Sequence, residues 1–365
     1  MKVSVISPIL NIAGVPLAQL RLARSLAKQN HKVDLIFGQI QDREIILDLA
    51  NVNIIDFKKK NIRSIFFKLC QYLINAKPDV IFTAEDHLNI IVSICAVITR
   101  SKVKISASSR VKPFDTYSNK IFSKKWFLKY LFKATSWRIN LLTCVSKDMV
   151  KQYQKVFGKT RHVCIYNIVK DENSEKKMNE KIYEEWFSKN NNQCKFIIAA
   201  GKLAPWKGFD YLLKACKVIN DKQVNFKLSI LGDGPEKNKL IELSEQLGLK
   251  NKVNFLGYVN NPLKYFKISD IFVLSSLVEG MPNVLIEAMM CGCTIVSTDC
   301  ETGPKEILDS GIHGYLVPVK NYKELANGII RAIEKPIVKD KSHEIIKLFS
   351  EKEVIKKHFE KLYIR

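Results

Sequence analysis

What most constrains this chain is an alternation of strand-like and helix-like runs that is played through twice. KVSVISPIL (2–10) leads into a glycine turn, and PLAQLRLARSLAKQN then repeats apolar residues at helical spacing. HKVDLIFG, PDVIFTA, KVKISASS, INLLTCVS and HVCIYNIV follow as strands, with the helix SKDMVKQYQKVFG between the last two. Such a βαβ rhythm predicts a parallel sheet covered on both faces. Residues 170–193, KDENSEKKMNEKIYEEWFSKNNNQ, break it and read as a charged, Asn-rich connection with one short helix. A second series then begins with the strand CKFIIAAG and the helix FDYLLKACKVIND. FKLSILG, KVNFLGYV, DIFVLSS, CTIVSTD and GYLVPV are its later strands. The expectation is an α/β chain of two Rossmann-like parallel-sheet domains facing a cleft. The boundaries are 1–168, a linker 169–193, 194–342, and a terminal helix 343–365 that crosses back to the first domain.

The 365 residues suffice for two ordinary domains. The start, MKVSVISPIL, has no long apolar core or small-residue cleavage site, so no signal peptide is expected. The longest apolar run, LNIIVSICAVIT (88–99), is too short to span a bilayer and reads as a buried helix. Nine cysteines without framework spacing suggest reduced thiols and a cytoplasmic location. Net charge is +23 and uneven: residues 1–190 hold 33 Lys+Arg against 16 Asp+Glu, the remainder 26 against 20. A basic first half points to an anionic partner, whether a membrane surface, a nucleic acid or a phosphorylated ligand.

In parallel sheets, ligands bind where strands end in loops leading to helices, and the unusual residues lie in such loops. In EGMPNVLIEAMMCG (279–292), Glu279 precedes a helix that begins near Pro282 and closes at Gly292, and Glu287 sits among apolar neighbours within it. A carboxylate there must accept hydrogen bonds, from a ribose diol or from a lysine or backbone group. In GKLAPWKGFDYLL (201–213), Lys202 and Lys207 share one loop before Gly208 opens a helix. Two cations so placed suit a diphosphate, and equally two solvated surface lysines. DCETGPKEIL (299–308) offers a helix start at Gly303 and Pro304, and LGDGPEKNKL (231–240) another. NIAGVPLAQL (11–20) adds a glycine turn after the first strand.

The order of these loops resembles the group 1 (family 4) nucleotide-sugar glycosyltransferases of GT-B fold, most strongly over 195–335 and more weakly over 1–168. In that family's terms Glu279 faces the donor sugar and Glu287 holds the ribose hydroxyls. Lys207 neutralises the donor diphosphate, and Lys202 stands where arginine is usual. Gly280, Asn283, Val284 and Leu285 complete the donor motif, and Gly303 with Pro304 matches the β-phosphate site. Gly14 matches a loop that commonly has two glycines; Ala13 occupies the first place here. Relatives often carry an acceptor-side histidine after the fourth strand. This chain has Ser109 and Arg110 there, and His87 after the preceding strand is the histidine that could serve. The catalytic candidates are therefore Glu279, Lys207 and His87.

No Asp-x-Asp occurs, so the resemblance implies no metal and no cofactor beyond the donor, with lysines and helix dipoles handling phosphate charge. It also implies retention of anomeric configuration, a UDP-sugar donor carrying a hexose or N-acetylhexosamine, and a glycan or polyprenyl-diphosphate-linked acceptor. The setting implied is bacterial surface polysaccharide synthesis, lipopolysaccharide or capsule. The stretch 100–133 interleaves ten cations with Phe122, Trp126, Phe127, Tyr130 and Phe132 against one acid, Asp115. That pattern suits peripheral attachment to an anionic membrane, or a helix packing its aromatic side on its own domain. The rival readings are a GT-B sugar-nucleotide epimerase and a basic nucleic-acid-binding protein. No nucleic-acid module is recognisable, and nucleic acid is not an expected partner.

Overall fold

A computed structural model describes residues 1–11, 14–42, 49, 51–59, 61–158, 160–187, 194–337 and 342–363. It divides into two compact units: Met1–Val169 with Phe349–Arg365, and Lys170–Leu348.

In the first unit the chain runs β1 (Lys2–Leu10), α1 (Gly14–Lys28), β2 (Lys32–Ile40), β3 (Val52–Asp56), α2 (Phe66–Ala76), β4 (Val80–Ala84) and α3 (Asp86–Ile98). It continues through β5 (Lys104–Ser109), α4 (Pro113–Thr116), α5 (Lys124–Thr135), β6 (Leu141–Cys144), α6 (Lys147–Phe157) and β7 (His162–Cys164). The seven strands pair in the order β3-β2-β1-β4-β5-β6-β7, with parallel pairing throughout. The central strands are buried on both faces, which is why they read as near-continuous apolar runs instead of alternating ones. Strand β3, not anticipated from sequence, is a five-residue edge strand that is mostly half-buried. The apolar run at 88–99 lies in α3, which buries Leu88, Ile90, Val92 and Cys95. Among the described residues, no helix is long and apolar enough to cross a membrane.

The second unit contains α7 (Ser174–Met178), β8 (Lys195–Ala200), α8 (Phe209–Asp221), β9 (Phe226–Leu231), α9 (Lys237–Gln246), β10 (Val253–Gly257) and α10 (Leu263–Ile268). Then come β11 (Ile271–Leu274), α11 (Asn283–Cys291), β12 (Thr294–Thr298), α12 (Pro304–Ile307), β13 (Tyr315–Val317), α13 (Tyr322–Glu334) and α14 (His343–Lys347). Its parallel sheet has the order β10-β9-β8-β11-β12-β13. A core of Ile197, Leu212, Cys216, Leu228, Val273 and Ile329, among others, welds α8 and α13 to it.

Two expected boundaries shift. The stretch read as a linker is built into the second unit over its described part: Trp186 Nε1 donates to Ser229 Oγ (2.9 Å), and the Tyr265 hydroxyl donates to Glu184 (2.5 Å). Phe187 also packs its ring against Tyr265 at 5.3 Å. These aromatics find apolar partners far away in sequence, which composition does not show. Residues 188–193 lie outside the described residues. The terminal helix is two helices, α14 in the second unit and α15 (Glu351–Lys361) in the first. Ser350 caps α15 by accepting from the Glu353 amide, and this N-cap breaks the helical run. The return to the first unit is as expected. Val354, Ile355 and Leu362 join the core of Val3, Val5 and Leu26, and the Phe349 ring stacks on Tyr166 at 4.4 Å.

Candidate active site

In the second unit the strand order reverses between β8 and β11, and the loops leaving these two strands diverge there to form a crevice. Lys207 comes from the β8 loop, in a 3-10 turn over Pro205–Lys207, and Glu279 from the β11 loop. They meet: Lys207 Nζ donates to Glu279 Oε1 at 2.5 Å, and Ser276 Oγ donates to the same oxygen at 2.7 Å. The lysine side chain is 21% exposed and the glutamate 10%, so the pair is largely shielded from water while an edge stays reachable.

The backbone holds this pair in place. Gly208 follows Lys207 with φ 62, a left-handed conformation in which a Cβ would stand 2.3 Å from the Ser275 carbonyl oxygen. Only glycine allows that approach. The two loops are then stitched by Ser275 Oγ donating to Lys207 O (2.9 Å) and by the Leu277 amide donating to Trp206 O (2.8 Å). A third loop joins them. Thr302 Oγ1 donates to Glu279 O, and a Cβ on Gly303, at φ 96, would strike Pro282 Cδ at 2.6 Å. The glycine turn at 232–234 packs equally closely under the β8 loop, where the Leu203 amide donates to Asp233 O (2.9 Å).

Among the other donor-side residues, Glu287 is buried in α11, 9% exposed, while Lys202 is exposed. Gly280 lies against Gly303, and Asn283, Val284 and Leu285 form the first turn of α11. Pro282, expected inside that turn, is its N-cap, with ψ 90 keeping it out of the helix. The helix start expected at Pro304 is present as a single turn, Pro304–Ile307, so its dipole is small.

In the first unit the switch point lies between β1 and β4. Gly14 begins α1, and a Cβ there would have nothing within 4 Å, so the loop leaves open space above the sheet. Ala13 lies outside the described residues. After β4, Glu85 takes φ 78 and ψ 130, a conformation costly for a residue with a side chain. Burial raises its carboxyl above the ordinary range, with the charge of Arg110 opposing. Arg110, at the end of β5, donates from Nη1 to Asn167 Oδ1 (2.6 Å), and burial pushes it down to about 10.

His87 is exposed on the first turn of α3, whereas its neighbour Asp86 is buried and organises a network. Asp86 accepts from Ser109 Oγ (2.5 Å) on one oxygen, and from the Tyr117 (2.6 Å) and Tyr153 (2.5 Å) hydroxyls on the other. Burial raises the Asp86 carboxyl, and the three hydroxyls oppose that rise. Ser109 gives its proton to Asp86, so His162 Nε2, 3.2 Å away, carries the proton of that contact. Burial, assisted by Arg161, pushes the His162 ring down to about 3 and keeps it neutral. Ser109, expected to face an acceptor, is therefore fully buried and engaged within the domain. Residue type drew attention to His87. The carboxylate beside it, within reach of two tyrosines and a serine, is invisible until segments 23 to 67 residues apart are brought together.

Residues 169–348 match the family model described as glycosyl transferases group 1. The chain is 36% identical over 252 residues to an uncharacterized glycosyltransferase of Methanocaldococcus jannaschii, covering 66% of this chain and 61% of that protein. It is 31% identical over 208 residues to a Campylobacter jejuni N-acetylgalactosaminyltransferase acting on N-acetylgalactosamine-N,N'-diacetylbacillosaminyl-diphospho-undecaprenol. That match covers 56% of this chain and 54% of the relative, so the chain spans little more than half the length of these two proteins. Among solved structures, Anabaena HepE in complex with UDP superimposes with a TM-score of 0.79 over 100% of both chains, at 19% identity, a likeness of fold. The same protein is also solved with UDP-glucose. With the paired carboxylate and lysine at the switch point of its second sheet, the segment 169–348 belongs to the group 1 glycosyl transferases, and the chain has the GT-B fold.

Proposed function

We propose that the chain transfers a hexose or N-acetylhexosamine from a UDP-sugar, with retention and without a metal, to a glycan or polyprenyl-diphosphate-linked acceptor in bacterial surface polysaccharide synthesis. The observation that carries this reading is the Lys207–Glu279–Ser276 cluster at the β8/β11 switch point. A lysine already held by one carboxylate is positioned for a second anion. An incoming diphosphate competes for the ammonium, and Lys207 then offsets the charge that builds on the leaving diphosphate as the glycosidic bond breaks. Glu279, freed in part from the lysine, accepts a hydrogen bond from the donor sugar. Glu287 accepts the ribose hydroxyls, Lys202 supplies an outer cation, and Gly303 with Pro304 presents backbone to the β-phosphate. Gly280, Asn283, Val284 and Leu285 shape the wall.

On the first unit, Gly14 leaves room for the donor and Arg110 stands ready for an anionic acceptor. His87 is the candidate for contact with the acceptor hydroxyl. The lipid-linked substrate in the Campylobacter jejuni relative's name supports an acceptor of that class. The UDP and UDP-glucose complexes of the Anabaena structure support the nucleotide. The cations of 100–133 support peripheral attachment at the anionic inner face of the plasma membrane.

Melting with UDP, GDP or ADP, then with UDP-sugars, tests the donor. UDP should raise the melting temperature, and Lys207→Ala and Glu287→Ala should each diminish the rise; undiminished rises in both would overturn the assignment. Incubation with a UDP-sugar alone should leave the sugar's configuration unchanged. An epimerised product would instead establish an epimerase.

A further inference from the structure

The amino-terminal edge of the first sheet, the edge away from Gly14, Glu85 and Arg110, carries a cavity of about 740 Å³ that none of these roles uses. Its floor is apolar, formed by Leu73, Pro78, Val80 and Val103. Lys77, Arg100, Lys102 and Lys104 line its walls, against one acid, Asp79. Lys104 is engaged by the carbonyls of Leu362 and Tyr363, and Asp79 accepts the Lys2 amide. Lys77, Arg100 and Lys102 have no ion-pair partner among the described residues.

Lys77 and Arg100 also stand in the left-handed region, with φ 46 and φ 49. Glycine or asparagine fits that conformation at lower cost. A helix C-terminus favours a cation by its dipole, which accounts for Lys77 after α2 and Arg100 after α3, but Lys102 lies beyond both ends. The dipole also leaves the rim unexplained. Ile74 is 55% exposed, Ile98 61% and Trp137 67%. Trp137 is next in sequence to Arg138, which donates from Nη2 to the Ser101 and Val103 carbonyls of the cavity wall, each at 2.8 Å. On α5, Phe132 packs inward, whereas Phe127, Tyr130 and Leu131 are exposed beside Lys124, Lys125 and Lys133. The aromatic side of that helix is therefore only partly absorbed by its own domain.

We infer that this cavity seats the phosphate headgroup of an anionic membrane lipid while its apolar rim enters the bilayer surface. The inference rests on the membrane part of the reading above and not on the donor. Residues 97–138 hold eleven Lys+Arg against one acid, and residues 57–78 hold six against none. Cations alone would suit a nucleic acid as well. Trp137, Phe127 and Tyr130 have ring faces on which a base can stack, but the exposed Ile74, Ile98 and Leu131 have none and gain by contact with acyl chains, which favours the lipid.

The test is co-sedimentation of the full chain with phosphatidylcholine vesicles, with and without phosphatidylglycerol, at low and high salt. Sedimentation should require phosphatidylglycerol and weaken with salt. The combined variant Lys77→Asn, Arg100→Asn, Lys102→Gln, whose asparagines fit the left-handed backbone, should partition about a hundredfold less. Removing three exposed cations of the second unit, Lys222→Gln, Lys323→Gln and Lys335→Gln, should leave partitioning nearly unchanged. Equal loss in the two triples would overturn the cavity's role, as would binding to phosphatidylcholine alone. Displacement of the protein from vesicles by a short RNA hairpin would assign the surface to nucleic acid instead. The cavity triple should keep its melting-temperature rise with UDP, so a failure here leaves the donor assignment standing.

Discussion

The close approach of two loops at Gly208 can be tested against a matched control. Gly208 and Gly248 both lie in the left-handed region, at φ 62 and φ 70. A Cβ at Gly248 would meet nothing within 4 Å, whereas one at Gly208 would stand 2.3 Å from Ser275 O. Gly248→Ala therefore carries only the backbone cost, about 1–2 kcal/mol. Gly208→Ala carries that cost and must also push the Ser275 carbonyl back by roughly 1 Å, adding about 1–3 kcal/mol. For a unit of this size each kcal/mol lowers the melting temperature by about 2–4 °C, giving a fall of about 2–8 °C for Gly248→Ala and about 4–20 °C for Gly208→Ala. The displaced segment carries Lys207 and Ser276, and a shift of about 1 Å in a reacting geometry costs about a hundredfold in rate. Calorimetry with and without UDP, followed by donor turnover, reads all three quantities. Gly248→Ala should keep its UDP response and turnover, and Gly208→Ala should lose both. If the two variants melt together and respond alike to UDP, the loop contact does not position the site.

Other outcomes follow from the same geometry. Glu279→Gln removes the carboxylate competing for Lys207. UDP should bind tighter by roughly fivefold, about 1 kcal/mol, while sugar transfer is lost; weakened UDP binding would show that the pair does not compete with the diphosphate. Asp86→Ala leaves the Ser109, Tyr117 and Tyr153 hydroxyls without their acceptor and should destabilise the first unit by about 3–5 kcal/mol in urea unfolding. Tyr153→Phe should cost about 1–3 kcal/mol, and equal costs would argue against a shared network. Burial pushes His358 down to about 3 from an ordinary 6.5, so the fold keeps the ring neutral while the unfolded chain takes up a proton below 6.5. Its contribution is complete above pH 6.5 and is lost as pH falls toward 3, reaching about 2 kcal/mol at pH 5. His358→Gln should accordingly lose about 2 kcal/mol less stability between pH 7 and pH 5 than the parent, and parallel curves would refute the assignment.

The two-sheet architecture was legible because parallel strands buried on both faces must be written as unbroken apolar runs, and KFIIAA and VIFTA are such runs. The loops were legible because Gly208, Gly303 and Pro282 punctuate them. Strand β3 was missed because VNIID lies at a sheet edge and carries little of that burial. The segment containing Trp186 looked like a linker because its partners, Ser229 and Lys227, are more than 40 residues away.

Lys207 and Glu279 were each picked out by loop position and by likeness to a family, yet their sequence separation of 72 says nothing of a shared hydrogen bond. The contact exists because the strand order reverses between β8 and β11 and sends their loops to one point. Likewise, sequence favoured His87 for its chemistry, while tertiary packing buried Asp86 and gave it three hydroxyls. Local pattern thus determined which segments become strands, helices and turns, since backbone conformation and burial period depend on neighbouring residues. Which charged groups meet, and which are removed from water, was decided only when distant strands paired, because electrostatic and desolvation energies depend on distances in space and not along the chain.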